Sequence, residues 1–149
     1  DMYIFFASVK PQYDWGYLAN SIVFALPSRN GDKDKVRKLI FWELKSNIPY
    51  EKEVNNFKQL ATWLHCCGVV SQLDGIHSAS AHPSELHSLV LYNSVGTLID
   101  RHVVNLRVKH CCLNSTRMIV ASDDSFYSWQ FKLAQSGSAS AKSMFPKAL

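Results

Sequence analysis

NSTRMIVASDDSFYSWQFKL, Asn114–Leu133, is the stretch whose reading decides the fold. Arg117 to Ser122 is short and mostly apolar. Asp123-Asp124 interrupts it, and Asp is favoured in turns because it bonds its own backbone. From Phe126 the pattern alternates. Tyr127, Trp129, Phe131 and Leu133 share one face; Ser128, Gln130 and Lys132 share the other. A period of two marks a strand whose faces meet different surroundings, so the stretch predicts two strands joined by a tight turn.

Working outward, the same kind of strand recurs twice. Leu39–Lys45 (LIFWELK) puts Ile40, Trp42 and Leu44 together, and Leu89–Asn93 (LVLYN) puts Val90 and Tyr92 together. Trp42 lies 50 positions before Tyr92, which lies 37 before Trp129. The mean spacing falls in the roughly 40–45-residue period of a WD-repeat blade. Trp42, Tyr92 and Trp129 are therefore expected in blade cores.

The rest of the chain fits short strands. Tyr3–Val9 is a short apolar run. Lys10–Asn20 (KPQYDWGYLAN) is a connector in which Tyr13, Trp15 and Tyr17 alternate, an arrangement expected to pack down. Ser21–Leu26 is a strand ended by Pro27, and Ser28–Lys35 is a polar loop with the turn pair Asn30-Gly31. Tyr50–Phe57 reads as a polar outer strand, followed by a pair over Gln59–Cys67 and Gly68–Leu73. Asp74–Glu85 is a polar insertion; Leu86–Asn93 and Leu98–Leu106 are further strands. Beyond Leu133 the small polar residues read as a linker. No 3.6-residue apolar period is present. About ten short strands and no helix make the expected class all-β, a partial propeller of two to three blades. A blade's faces must be covered by neighbours, and rings close with typically four to eight blades, so a larger parent is expected. The first residue, Asp rather than Met, points the same way.

Composition narrows the function classes. With 149 residues, 47% hydrophobic and 19% charged, the chain has the make-up of one globular domain or a piece of a larger one. Its net charge of +4 is scattered, which favours a solvated surface over a nucleic-acid interface. Lys33, Lys35, Arg37 and Lys38 precede Phe41 and Trp42, but alternation places Trp42 with Ile40 and Leu44. No run approaches the ~20 apolar residues of a membrane span, and no secretory signal is visible.

Two triplets carry the remaining chemistry, His65-Cys66-Cys67 and His110-Cys111-Cys112. Structural zinc sites favour thiols separated by two to four residues, whereas adjacent strand residues point to opposite faces. The 45-residue offset predicts equivalent positions on equivalent inner strands, with Cys as a small core residue. A zinc-binding β domain is the alternative. The acid pairs Asp123-Asp124 and Glu51/Glu53 lack a setting for acid–base work, and no phosphate loop or nucleophile elbow occurs. No catalytic, cofactor-binding or metal-binding residue is expected.

Read in order, Tyr3-Ile4-Phe5-Phe6-Ala7, Pro11, Tyr13, Trp15-Gly16-Tyr17, Asn20, Phe41-Trp42, Asn93-Ser94 with Gly96, and Phe126-Tyr127 with Trp129-Gln130 add up to a likeness. The chain resembles the WD-repeat subunit of intraflagellar transport complex A, over Met2–Leu133, where the first propeller of that family ends and the second begins. PQYDWGY is the most specific piece. The resemblance implies a preceding propeller's last strand over 1–9, a connector over 10–20, blades of a second propeller over 21–133 and a tail over 134–149. It implies that Tyr13, Trp15, Gly16 and Tyr17 set the angle between two propellers. It further implies a non-catalytic scaffold in cytoplasm and cilium, at axoneme and basal body. That scaffold would act in retrograde ciliary transport and in bringing membrane cargo into cilia. The implied partners are the other complex A subunits and ciliary membrane-protein cargo or adaptors, with no nucleic acid and only indirect membrane contact. A generic propeller of a vesicle-coat or trafficking complex is the alternative.

Overall fold

The structure, a computed structural model, describes residues 14–26, 36–73 and 86–132. The expected strand Tyr3–Val9, Tyr13, the loop Ser28–Lys35, the insertion Asp74–Glu85 and the tail from 134 lie outside them. The described residues form eleven strands and no helix: β1 Trp15–Tyr17, β2 Ser21–Ala25, β3 Val36–Glu43, β4 Ile48–Asn55, β5 Phe57–Trp63, β6 Cys66–Gln72, β7 Leu86–Asn93, β8 Leu98–Asn105, β9 His110–Leu113, β10 Arg117–Ala121 and β11 Phe126–Gln130. They make three antiparallel sheets, ordered β1-β2-β3-β4, β5-β6-β7-β8 and β11-β10-β9. These are three consecutive blades of an unclosed propeller.

Local chemistry closes the turns. The Asn93 side-chain oxygen accepts from the backbone N–H groups of Val95 and Thr97, and Gly96 takes the left-handed φ of 82° that this turn requires. Asn114 does the same for Thr116 and Arg117 between β9 and β10. The Ser122 hydroxyl joins Asp124 and Ser125 between β10 and β11. The last is the turn that Asp123-Asp124 marks in the sequence.

Two apolar layers hold the blades together. Leu18, Val23, Leu39, Phe41 and Val54 of the first blade pack on Leu60, Cys67, Val69, Val90 and Tyr92 of the second. Cys66, Val70, Leu89, Leu91 and Val104 of the second pack on Leu113, Met118, Val120, Trp129 and Phe131 beside the third. The second blade is thus buried on both faces, and alternate residues of β6 and β7 serve alternate layers. Close approach fixes the spacing: a Cβ at Gly68 would stand 2.8 Å from the Met118 sulfur.

Strand register defines the repeat. Ile22 pairs with Trp42, Cys67 with Tyr92, and Met118 with Trp129, each one step inside the same end of its hairpin. Trp42, Tyr92 and Trp129 therefore occupy one position in three blades, on the face turned to the preceding blade. Tyr92 and Trp129 are buried there, but Trp42 is 40% exposed. The core expectation for Trp42 is corrected: among the described residues no sheet lies over its face, and its indole N–H instead donates to the Asn47 side chain at 2.8 Å.

Two further expectations change. The connector expected over 10–20 gives way to strand at Trp15, because Trp15, Gly16 and Tyr17 pair with Phe24, Val23 and Ile22. The triplets are not equivalent either. Cys66 and Cys67 begin β6, the second strand of its blade, whereas Cys111 and Cys112 lie on β9, a first strand. The 45-residue offset reflects loop lengths, not strand equivalence.

Candidate interaction surfaces

Contacts between blades follow a common plan. Lys52 on β4 pairs with Leu39 and His102 on β8 pairs with Leu89, so the two side chains hold equivalent outer-strand positions. Lys52 Nζ sits 6.0 Å from the centre of the Tyr92 ring, and His102 stacks 5.7 Å from Trp129 with an interplanar angle of 18°. Each blade thus lays a nitrogen-bearing side chain over the third-strand aromatic residue of the next. His102 also stacks on Tyr127 at 5.3 Å. Phe41 meets Tyr92 edge-on at 5.8 Å. Polar bonds cross the same seams: Ala19 N–H to Leu64 C=O, the Ser21 hydroxyl to Ser94 C=O, and Lys132 N–H to the Asp100 carboxylate.

Among the described residues no sheet lies over the other face of the first blade. Trp15 and Tyr17 meet edge-on at 5.1 Å, and register places them beside Phe24, Ile22 and Trp42. Gly16 points the opposite way, where an added Cβ would stand 2.6 Å from the Thr62 side chain. Of the residues expected to join two propellers, Trp15, Gly16 and Tyr17 therefore lie on an innermost strand seated against β5.

Among the described residues, grooves open where β4 passes to β5 and where β8 passes to β9. The first, about 530 Å³, lies between the first and second blades and includes Val54, Asn56, Ser71, Ser88, Tyr92 and Arg101. Burial pushes the Tyr92 hydroxyl up in pKa, while the neighbouring Arg101 guanidinium pulls it down. The second groove, about 420 Å³, is polar and is crossed by the Lys109–Asp123 ion pair. That hydrogen bond holds the exposed Asp123 carboxyl below its usual range.

The thiols do not share one setting. Cys66 and Cys67 face different apolar layers, Cys111 is half-buried, and Cys112 is exposed on the opposite face of β9. Burial pushes the Cys111 thiol up to about 12, with Cys112 adding to the shift. Among the described residues no group of three or more His, Cys, Asp or Glu is arranged to hold a metal. The sequence reading missed Lys52, Arg101 and His102. The 50-residue step from Trp42 to Tyr92, carried forward, links Lys52 to His102 and Val54-Asn55 to Val104-Asn105, and was the available signal.

Comparison with known proteins agrees with this architecture. A family model of the WDR35 second beta-propeller matches residues 15–148. WD repeat-containing protein 35 of Homo sapiens is 30% identical over 139 residues, covering 91% of this chain and 12% of that protein. The Mus musculus protein gives the same identity and coverage. That of Rattus norvegicus is 31% identical over 135 residues, covering 91% and 11%. The chain spans about 12% of the length of the curated relatives it matches.

Proposed function

The chain belongs to the WDR35 second beta-propeller family, and from that premise we propose that it is a non-catalytic interaction scaffold of intraflagellar transport complex A. The supporting observation is the family match over blades stacked by one repeated contact plan, with no described sheet over the Trp42 face of the first blade. In this reading the propeller works in retrograde ciliary transport and in bringing membrane cargo into cilia. Its partners are the other complex A subunits and membrane-protein cargo or adaptors. It resides in cytoplasm and cilium. Tyr13, Trp15, Gly16 and Tyr17 mark where this propeller meets what precedes it, and the Trp15–Tyr17 pair helps fix that angle.

The test is affinity purification of the parent protein from ciliated cells, followed by mass spectrometry. Recovery of the other complex A subunits is expected. Recovery of vesicle-coat subunits in their place favours the generic trafficking propeller and overturns the assignment.

A further inference from the structure

The two described seams follow one rule at the third-strand aromatic residue. Lys52 lies over Tyr92, and His102 lies over Trp129. Each covering residue sits on the fourth strand of its own blade, ten positions after that blade's aromatic residue: Trp42 to Lys52, and Tyr92 to His102. Trp42 is the third aromatic residue of the series. Among the described residues no sheet lies over it, although a blade face needs a neighbour to cover it.

The charges on that face point to what covers it. Register puts Trp15, Tyr17 and Trp42 on one side of the first blade with Lys38, Glu51 and Glu53. The three rings are exposed. Lys38 stands 3.6 Å from Glu51 in a solvent-exposed pair, which leaves a carboxylate in excess on this face among the described residues. A cation arriving there gains twice, from the quadrupole of the indole and from the carboxylate beside it. The second blade supplies the contrast. Glu51 pairs with Ile40, and the equivalent residue, paired with Val90, is Arg101; Lys52 nevertheless reaches Tyr92. The first blade therefore offers a cation a better seat than the one that already holds Lys52.

We propose that the Trp42 face of the first blade receives a β-sheet of the parent polypeptide, whose fourth strand lays a Lys or Arg side chain over the Trp42 indole and toward Glu51. The occupant belongs to the same polypeptide because both described seams are made within one chain, and because this chain spans only about 12% of the relatives it matches. A whole sheet, not a single extended segment, fits a face that runs across four strands. The proposal rests on the scaffold reading, but it can fail separately: the purification above reports complex membership, whereas the crosslink below reports which strand covers Trp42.

The probe is the photoreactive aromatic residue p-benzoylphenylalanine, placed in the parent protein in place of Trp42. The purified protein is irradiated, and the crosslinked peptides are mapped by mass spectrometry. The crosslink should fall on a strand of the same polypeptide, where a Lys or Arg faces the probe and follows an aromatic residue of its own blade by ten positions, as Lys52 follows Trp42. Crosslink yield should drop at least ~3-fold in Glu51→Lys, and by a similar factor when the mapped cation is replaced by Glu. Glu51→Gln should lose less, and Lys58→Gln, exposed on the second blade, should lose nothing. Circular dichroism confirms that each variant is folded. A crosslink to a different polypeptide overturns the proposal, as does a facing residue other than Lys or Arg. The absence of any crosslink in the folded parent, or an unchanged yield in Glu51→Lys, also overturns it.

Discussion

The second blade and the first are built from the same pattern and differ in what covers them. On β7, Leu89 and Leu91 face the third blade while Val90 and Tyr92 face the first, and all four are buried. On β3, Leu39 and Phe41 are buried against the second blade; on the opposite face Ile40 is buried but Trp42 is 40% exposed. Alternation is alike in the two strands. For Trp42 the difference lies in the neighbouring sheet: among the described residues none faces it, and a blade covers only the face turned toward it. An aromatic residue at the repeat position is thus a core residue only where the previous blade is in place.

The sharpest way to break this comparison is to truncate the same repeat position in different blades. Trp129→Ala should cost ~3–5 kcal/mol, because it removes a buried aromatic side chain from the seam with the second blade. Trp42→Ala should cost only about 1 kcal/mol, chiefly its hydrogen bond to Asn47. Urea midpoints of the two variants decide it. Equal losses would mean that the two positions share the same degree of cover.

A smaller effect is expected from Gly68→Ala, which asks whether the double cover of the second blade leaves room to adjust. The new Cβ would meet the Met118 sulfur at 2.8 Å, and Met118 is itself fully buried. A loss of ~1–3 kcal/mol is expected, with partial recovery when Met118→Ala is added. Thermal melts of the single and double variants test the coupling; strict additivity would place the strain elsewhere.

His102→Ala sharpens the parallel between the seams. Removing the ring from Tyr127 and Trp129 should cost ~0.5–1.5 kcal/mol, and His102→Lys should restore part of it if the contact is interchangeable with that of Lys52 on Tyr92. A Lys variant no better than Ala would separate the two contacts.

The smallest effect at neutral pH is that of Cys111. Its folded-state pKa of about 12 lies above the ordinary thiol value of 9.0, because burial disfavours the thiolate and Cys112 adds repulsion. A raised pKa contributes stability that is complete below pH 9 and is lost as pH climbs toward 12. Urea midpoints should stay level from pH 7 to about 8.5 and then fall, less steeply in Cys111→Ala. An identical fall in that variant would assign the titration to other groups.

Much of this was legible in the residues. The alternation of Tyr127, Trp129 and Phe131, the turn at Asp123-Asp124 and the polar outer strand before Phe57 stand in the structure as read. The triplets were misread because a fixed offset between short motifs mixes strand spacing with loop length. Loop lengths differ from blade to blade, so equivalent positions step by 45 and 50 residues from the first blade to the second (Ile22 to Cys67, Trp42 to Tyr92) but by 51 and 37 from the second to the third (Cys67 to Met118, Tyr92 to Trp129). The groove was not legible, because Val54 and Asn56 at one side and Ser88, Tyr92 and Arg101 at the other come from different blades and meet only when the blades stack.

The sequence by itself determined the strands, their order, the all-β class and the position at which an aromatic residue recurs. Those are local properties, set by side-chain alternation and turn chemistry over a few residues. Only the tertiary structure decided that Trp42 stands uncovered while Tyr92 and Trp129 are buried. It alone brought Lys52 of the first blade to Tyr92 of the second, and set Cys66 and Cys67 in different apolar layers. Those outcomes depend on which sheet faces which, and facing is settled by the packing of one blade on the next.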